Sequence, residues 1–477
     1  MAGPSVQSCP EPVALPIIFV PGIMGSRLRN RRTGQIVWDP GSNWSTVWGA
    51  FTESAAAKRR RLVGPDGSAY SPDFLEVDMG RIGGTLTAER HRRQWGGLMA
   101  DFYMGFMSWL DMTAEAPATG LVPRGCFNLH YEAWAHPYNW TDDNDVSAQG
   151  LARTVSRALA DTQARYRNRD VRVLKPVVVT HPMGGLVARA YVTRHGGDAV
   201  LQGVIHGAMP TDGAPATYKR MRAGFEGGWG KAAISQRVLG QSQPEVTATA
   251  GNCPGPLQLL PNARHKSVNG DTDWLRLTNT RGARLWSRPA ANPYSEIYLN
   301  RRDWWRLIDQ RYLDPGGTPA GDRAWRNFET QLRKAAAFHS ALGSGGFHSN
   351  TRMFWSNDAD MRAWDIVEWR LARTNADPRR NPEDNNQQGR LRWGQWVTPP
   401  PMPMVAAAPV FVPEAEATIQ GATARGDGTV HAGSGRHAIG PMSVPTRVGF
   451  AHDAAFEPSA VRQLVAGWLF EMVQEQL

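Results

Sequence analysis

Residues 177–189, Val-Val-Val-Thr-His-Pro-Met-Gly-Gly-Leu-Val-Ala-Arg, constrain this 477-residue chain more than any other stretch. Val177–Thr180 is a run of β-branched residues and reads as a strand buried on both faces. His181 and Pro182 then turn the chain, and Gly184 and Gly185 let the following helix pack close to that strand. Proline holds φ near about −65° and pushes His181 towards extended backbone. It is at home at the start of a helix, where its missing N–H would be unpaired anyway. The expectation is a relaxed strand-to-helix turn centred on Pro182. The plainer alternative is an ordinary strand and turn, to be weighed against the rest of the chain.

Other segments repeat the strand–helix alternation. Leu15–Val20 is an apolar run ended by Pro21-Gly22, and a second strand is expected to end near Trp134-Ala135. Ser147 could cap the next helix, with Leu151, Val155, Leu159, Thr162 and Tyr166 at helical spacing. Gly196-Gly197 should stop the helix after Pro182, and Gln202–His206 should be the next strand. This alternation predicts an α/β fold with a mostly parallel sheet and helices on both faces. Regularity then fails from about 208 to 405, where Trp, Arg, Gly and Pro are frequent. This stretch is expected to be an inserted cap or lid with helical pieces at Ala324–Phe338 and Met361–Arg373. Thr374–Arg390 reads as a mobile loop and Pro399–Pro403 as a stiff connector. The expected domains are therefore 1–207, the first part of the core with an insertion at about 30–125; 208–405, the cap; and 406–477, the rest of the core. The last part should begin with a strand near Val410–Val412 and end in a helix with Val461, Leu464, Val465, Trp468 and Leu469 on one face.

Composition narrows the function classes. With 41% hydrophobic and 20% charged residues the chain has the balance of a globular protein, and no run reaches the roughly 18–20 apolar residues that span a bilayer. No basic stretch followed by a long apolar core opens the chain, so synthesis in the cytoplasm and export by a route without a Sec-type signal are expected. Cys9, Cys126 and Cys253 are too sparse for a disulfide framework or a metal cluster; no cofactor and no metal-binding residues are expected, and calcium or zinc support for the lid stays open. The formal charge of +10 is almost all arginine spread along the chain, since lysine occurs only at 58, 175, 219, 231, 266 and 334. Lys58-Arg59-Arg60-Arg61 is the one dense basic run and reads as a solvated helix face. No nucleic-acid motif accompanies the charge, and nucleic acid is not an expected partner; weak attraction to phospholipid headgroups stays open.

Ester hydrolysis by covalent catalysis needs a nucleophile, a histidine base oriented by a carboxylate, and donors for the developing oxyanion. The 177–189 stretch has the form of a small-x-Ser-x-Gly nucleophile elbow with Pro182 where the serine should stand. Asp427, in the glycine-flanked Gly426-Asp427-Gly428 turn, can serve as the acid. His452, in the last loop before the C-terminal helix, can serve as the base. The order nucleophile, acid, histidine is that of α/β-hydrolases. Read alone, Asp427 could cap a turn and His452 could be a surface histidine. Oxyanion donors would be the backbone N–H of Ile23 or Met24, after the first strand, and that of Met183.

These motifs, Val-Pro-Gly-Ile-Met-Gly-Ser-Arg-Leu (20–28), Pro-Tyr-Asn-Trp (137–140), Thr-His-Pro-Met-Gly-Gly-Leu-Val-Ala-Arg (180–189), Gly-Pro-Leu-Gln-Leu-Leu-Pro-Asn (255–262) and Gly-Asp-Gly-Thr-Val (426–430), resemble lecithin:cholesterol acyltransferase-like lipases. The segment Ile205–Pro210, with Gly213-Ala214-Pro215 and Tyr218–Met221, resembles bacterial lipases deployed as type VI secretion effectors. The resemblance implies an α/β-hydrolase fold with a large cap or lid. It implies attack on lipid or phospholipid esters at a membrane surface, contact-dependent export, and a secretion or immunity protein as partner. It assigns Asp427 as acid, His452 as base and Pro182 as the position of a lost nucleophile. Thr180 and Ser26 are the nearest hydroxyls by motif, and neither stands at the elbow tip. The chain should therefore be inactive or severely impaired, or a pseudoenzyme that binds lipid or a protein partner through its apolar pocket.

Overall fold

The computed structural model describes residues 12–39, 53–84, 86–113, 129–226, 239–317, 321–372, 380–398, 409–436, 443–446 and 449–477. Its central layer is built from β1 (Val13–Val20), helix α1 (Ala100–Thr113), β2 (Leu129–Ala135), α2 (Asn144–Tyr166), β3 (Val177–Thr180), α3 (Met183–Arg194), β4 (Gly203–Gly207), α4 (Gly321–Leu342), β5 (Thr351–Ser356), β6 (Ser443–Thr446) and α5 (Ser459–Gln474). The strands form one parallel sheet in the order β6-β5-β4-β3-β1-β2, with the short Arg172–Val173 strand also paired to β1. Every residue of β1, β3 and β4 is buried, as apolar runs covered by helices on both faces must be.

The strand order positions the site. After β1 the chain moves to β2 on one side, then returns to β3 on the other side of β1 and continues outward. The register is fixed by pairs such as Val20 with Thr180 and Thr180 with His206. The carboxyl ends of β1 and β3 therefore flank the point where the strand order reverses, where open α/β sheets bind ligands.

A second sheet stands apart from the first. Its strands run in the order Arg284–Arg288, Leu275–Thr278, Val367–Leu371, Val410–Ile419, Arg390–Val397 and Asp384–Asn385. It has its own core, with Trp274, Trp304, Trp369 and Trp393 fully buried. Helix α4 joins the layers: Phe328 and Leu332 face this second core, and Phe338 and Leu342 face the central one.

Several expectations meet corrections here. The strand at Val410–Ile419 belongs to the second sheet, whereas β5, inside the stretch expected to be cap, belongs to the central sheet. The helix expected over Met361–Arg373 is not found in its described part, up to residue 372: Asp358–Ala363 and Val367–Leu371 are strands. Val367, Trp369 and Leu371 alternate with the more open Glu368 and Arg370, and a period of two fits a sheet face, not a helix. Helix α2 is capped by Asp143, whose carboxylate accepts from the Asp145 N–H at 3.0 Å, and Ser147 lies inside the first turn. The basic run is not a solvated face. Arg59 is buried and donates to the carbonyls of Leu313, Gly64, Pro65 and Ser68, while Lys58 pairs with Glu245 at 2.9 Å. Pro399–Pro403, Cys9 and Cys126 and part of Thr374–Arg390 lie outside the described residues. Among those described, no helix is long and apolar enough to cross a membrane.

Candidate active site

The turn after β3 follows from proline chemistry. Pro182 has φ −43° and ψ −63°, already helical, and α3 starts at Met183. The His181 carbonyl accepts from the Gly184 N–H at 2.7 Å, and the His181 N–H donates to the Val20 carbonyl at 2.9 Å. Glycine at 184 is required by proximity: a Cβ there would stand 2.5 Å from the Val20 carbonyl oxygen. The Pro182 ring lies against the loop after β1, because a Cβ on Gly22 would meet Pro182 Cδ at 2.7 Å.

That loop forms a turn in which the Gly25 N–H donates to the Gly22 carbonyl at 3.1 Å. Met24 inside it has φ +63°, a left-handed conformation uncommon for a non-glycine residue and frequent at functional sites. Helix α1 secures the loop through Tyr103. The Gly22 N–H donates to the Tyr103 hydroxyl at 3.2 Å, and that hydroxyl lies 2.8 Å from His181 Nδ1. His181 Nε2 lies 2.7 Å from the His452 carbonyl oxygen, which can only accept. One consistent proton arrangement follows: Tyr103 donates to Nδ1, and His181 donates from Nε2 to His452. Burial, the nearby His452 and the absence of a carboxylate among these contacts fit a neutral ring, and the His181 pKa lies well below the usual histidine value, with burial the main cause. Sequence reading missed this brace, because Tyr103 lies in a region read only as an insertion and nothing local pairs it with His181.

Opposite the turn, His452 Nδ1 lies 2.7 Å from Asp427 Oδ2. The other carboxylate oxygen of Asp427 accepts the N–H groups of Thr429 at 2.9 Å and Val430 at 2.7 Å. The His452 N–H also donates to the Asp427 carbonyl at 2.9 Å, which ties the two loops together. The Asp427 side chain is 2% exposed and that of His452 19%, so the acid is sealed while the histidine reaches open space.

Ile23, Met24, Pro182, Met183, Asp427 and His452 all line one cavity of about 430 Å³. Its walls are largely apolar, with Phe102, Phe225, Leu259, Met361 and Trp364, and its polar side holds Arg220 and Glu226. Burial alone would raise the Glu226 carboxyl, but Arg220 and Lys219 outweigh it and hold the pKa at about 2. The hydroxyls near Pro182 are engaged elsewhere. Thr180 Oγ1 lies 3.0 Å from His206 Nδ1, and Ser26 Oγ accepts from the Tyr138 N–H at 3.0 Å. Of the cavity-lining threonines, Thr217 donates to the Leu259 carbonyl at 3.2 Å and Thr429 accepts from Arg220 at 3.2 Å. Among the described residues no group of three or more His, Cys, Asp or Glu could hold a metal ion.

A solved structure, that of the Tle4–Tli4 complex, matches over 98% of this chain and 100% of its own, with a TM-score of 0.74 and 25% sequence identity. This is an α/β-hydrolase fold. The likeness supports a lipase-like hydrolase scaffold of the type VI effector kind. No protein-family model matches the sequence, and no curated protein matches it.

Proposed function

We propose that this chain is a lipase-type carboxylic ester hydrolase with its acid–base pair assembled and its nucleophile absent, and that it is catalytically silent or nearly so. The observation that carries the reading is the 2.7 Å contact of His452 Nδ1 with Asp427, on the same cavity as Pro182. Asp427 fixes the histidine tautomer and leaves Nε2 as the base. With a serine at 182, its Oγ would lose a proton to His452 as it attacks the ester carbonyl. The N–H groups of Met183 and of Ile23 or Met24 would receive the oxyanion. His452 would then protonate the departing alcohol, and water would release the acyl group by the same steps in reverse order. Proline has no hydroxyl to enter this cycle.

The apolar walls suit the acyl chain of a lipid or phospholipid ester, met at a membrane surface under a cap formed around the second sheet. By analogy with the Tle4–Tli4 complex, we extend the reading to contact-dependent export and to a partner protein that restrains the effector. A second reading has its own support: Pro182 sits in ordinary helical backbone with its ring seated against Gly22. A site that accommodates proline so well could serve a pseudoenzyme that holds lipid without cleaving it.

Pro182→Ser separates the two. The purified parent and variant are compared on short-chain esters and on phospholipid vesicles. Hydrolysis by the variant alone supports the disabled lipase. A folded variant as silent as the parent sinks that reading and leaves the lipid-binding one.

A further inference from the structure

The second cavity of interest, about 420 Å³ and lined mainly by polar groups, lies in the cap beside the second sheet. Arg222 reaches it from the helix Pro215–Ala223, whose Arg220 lines the ester cavity instead. The Arg222 side chain is fully enclosed, and Nη2 donates to the Trp304 carbonyl at 2.8 Å. Its Nε and Nη1 are buried without a well-aligned acceptor; what acts on the guanidinium is the Tyr218 hydroxyl, the Trp369 ring at 5.9 Å and, by charge alone, Asp309.

The acids around this cavity are already matched to other arginines. Asp309 binds Arg306 at 3.0 Å and Arg311 at 2.7 Å, while Glu383 pairs with Arg380 and Asp384 with Arg392. Among the described residues no carboxylate forms an ion pair with Arg222. A buried cation whose attracting acid, Asp309, is already held by two other arginines is poorly compensated, and burial pulls its pKa down. An anion that accepts from these N–H groups removes that cost. A phosphate group, with several acceptor oxygens and up to two charges, matches the under-satisfied Arg222 guanidinium and the neighbouring Arg306 and Arg311, which share the one carboxylate of Asp309, better than a single carboxylate does.

We infer that this cavity is a binding site for a phosphate group, free or as a phosphomonoester, with Arg222 as its central ligand. The site is separate from the ester cavity and does not depend on the lipase reading.

Calorimetric titration of the full chain with inorganic phosphate, at constant ionic strength set by chloride, tests it. Glycerol 3-phosphate and acetate are run in parallel. One saturable phosphate site is expected, with acetate much weaker, and the melting temperature should rise with phosphate. If only one of the two phosphate probes saturates, the site takes that form, free or esterified. Arg222→Met, close in volume, should weaken binding at least about tenfold and abolish the thermal shift. Should that variant fail to fold, Asn385→Asp decides: it is isosteric, lines the cavity, and should weaken phosphate binding severalfold by repulsion. No saturable binding of either phosphate probe to the unmodified chain, or unchanged binding in a folded Arg222→Met or Asn385→Asp protein, overturns the inference.

Discussion

The two sides of the ester cavity are built to different standards. On the His452 side the contacts suit the proposed general base: two backbone N–H groups and the histidine occupy the Asp427 carboxylate, and the histidine faces the cavity. On the Pro182 side the bonds serve packing. Tyr103 and His181 join the loop after β1 to the His452 loop, and the proline ring fills the space against Gly22. On the proposed reading, the difference teaches that a hydrolase scaffold can keep its base poised while the nucleophile position becomes a structural part. On the same reading Thr180 and Ser26 are poor substitutes for the nucleophile, since they hold bonds away from the cavity.

The largest effect that could break this contrast is Pro182→Ser. If the His452 side is competent as built, ester hydrolysis should rise by about 10³-fold or more over the parent, the order expected when a missing triad member is supplied. With Pro182→Ser in place, adding Asp427→Asn should remove about 10⁴-fold of kcat, because an amide donates where the histidine also donates and selects the wrong tautomer. Steady-state kinetics on a soluble ester reads both. An Asp427→Asn double variant as fast as the single one would mean that the 2.7 Å contact has no part in the reaction.

A smaller effect probes the packing side. Gly22→Ala places a methyl 2.7 Å from Pro182 Cδ and 3.1 Å from Cγ, and should cost about 1–3 kcal/mol as overpacking. In the Pro182→Ser background the ring is gone and the cost should fall, so the two substitutions should be non-additive. Urea unfolding of the four proteins gives the coupling. Simple additivity would show that the ring and the loop do not press on each other.

How much of this was legible in sequence depended on whether the signal was contiguous. β1, β2, β3, β4 and α5 were readable because an apolar run or an amphipathic repeat lies within a few residues, and Asp427 and His452 because motif order placed them. The structure brings both to one cavity with Ile23, Met24, Pro182 and Met183, and their catalytic roles belong to the proposal. The second sheet was not legible, because its strands come from 275–288 and from 367–419 and carry no repeat that ties them together. Thr351–Ser356 has the polar Thr, Arg and Ser of a surface segment, yet every residue but Arg352 is buried in the central sheet. Arg59 misled for a related reason. Its charge suggested solvent, while its bonds go to Leu313, 254 residues away, as well as to nearby carbonyls. Long-range carbonyl acceptors leave no mark in local composition.

The smallest effect concerns the histidines sealed beneath the Pro182 side and elsewhere. Burial lowers His136 and His339 to about 4 and His206 to about 3, and holds His181 well below the usual value. An unfolded histidine titrates near about 6.5. Below that pH the unfolded chain takes up protons that these folded sites refuse, so stability is fully present above about 6.5 and falls as pH drops towards 4. Each such histidine contributes a slope of about 1.4 kcal/mol per pH unit over that window. His206 offers the cleanest probe, since its Nδ1 meets Thr180 Oγ1 at 3.0 Å and asparagine can keep a polar atom there. His206→Asn should flatten the pH dependence of the urea-derived stability between 6.5 and 5 by about one proton's worth. A slope unchanged by the substitution, or a parent that gains stability on acidification, would show that these rings are not held neutral by burial. The packing side of the cavity would then be less tightly sealed than its hydrogen bonds imply.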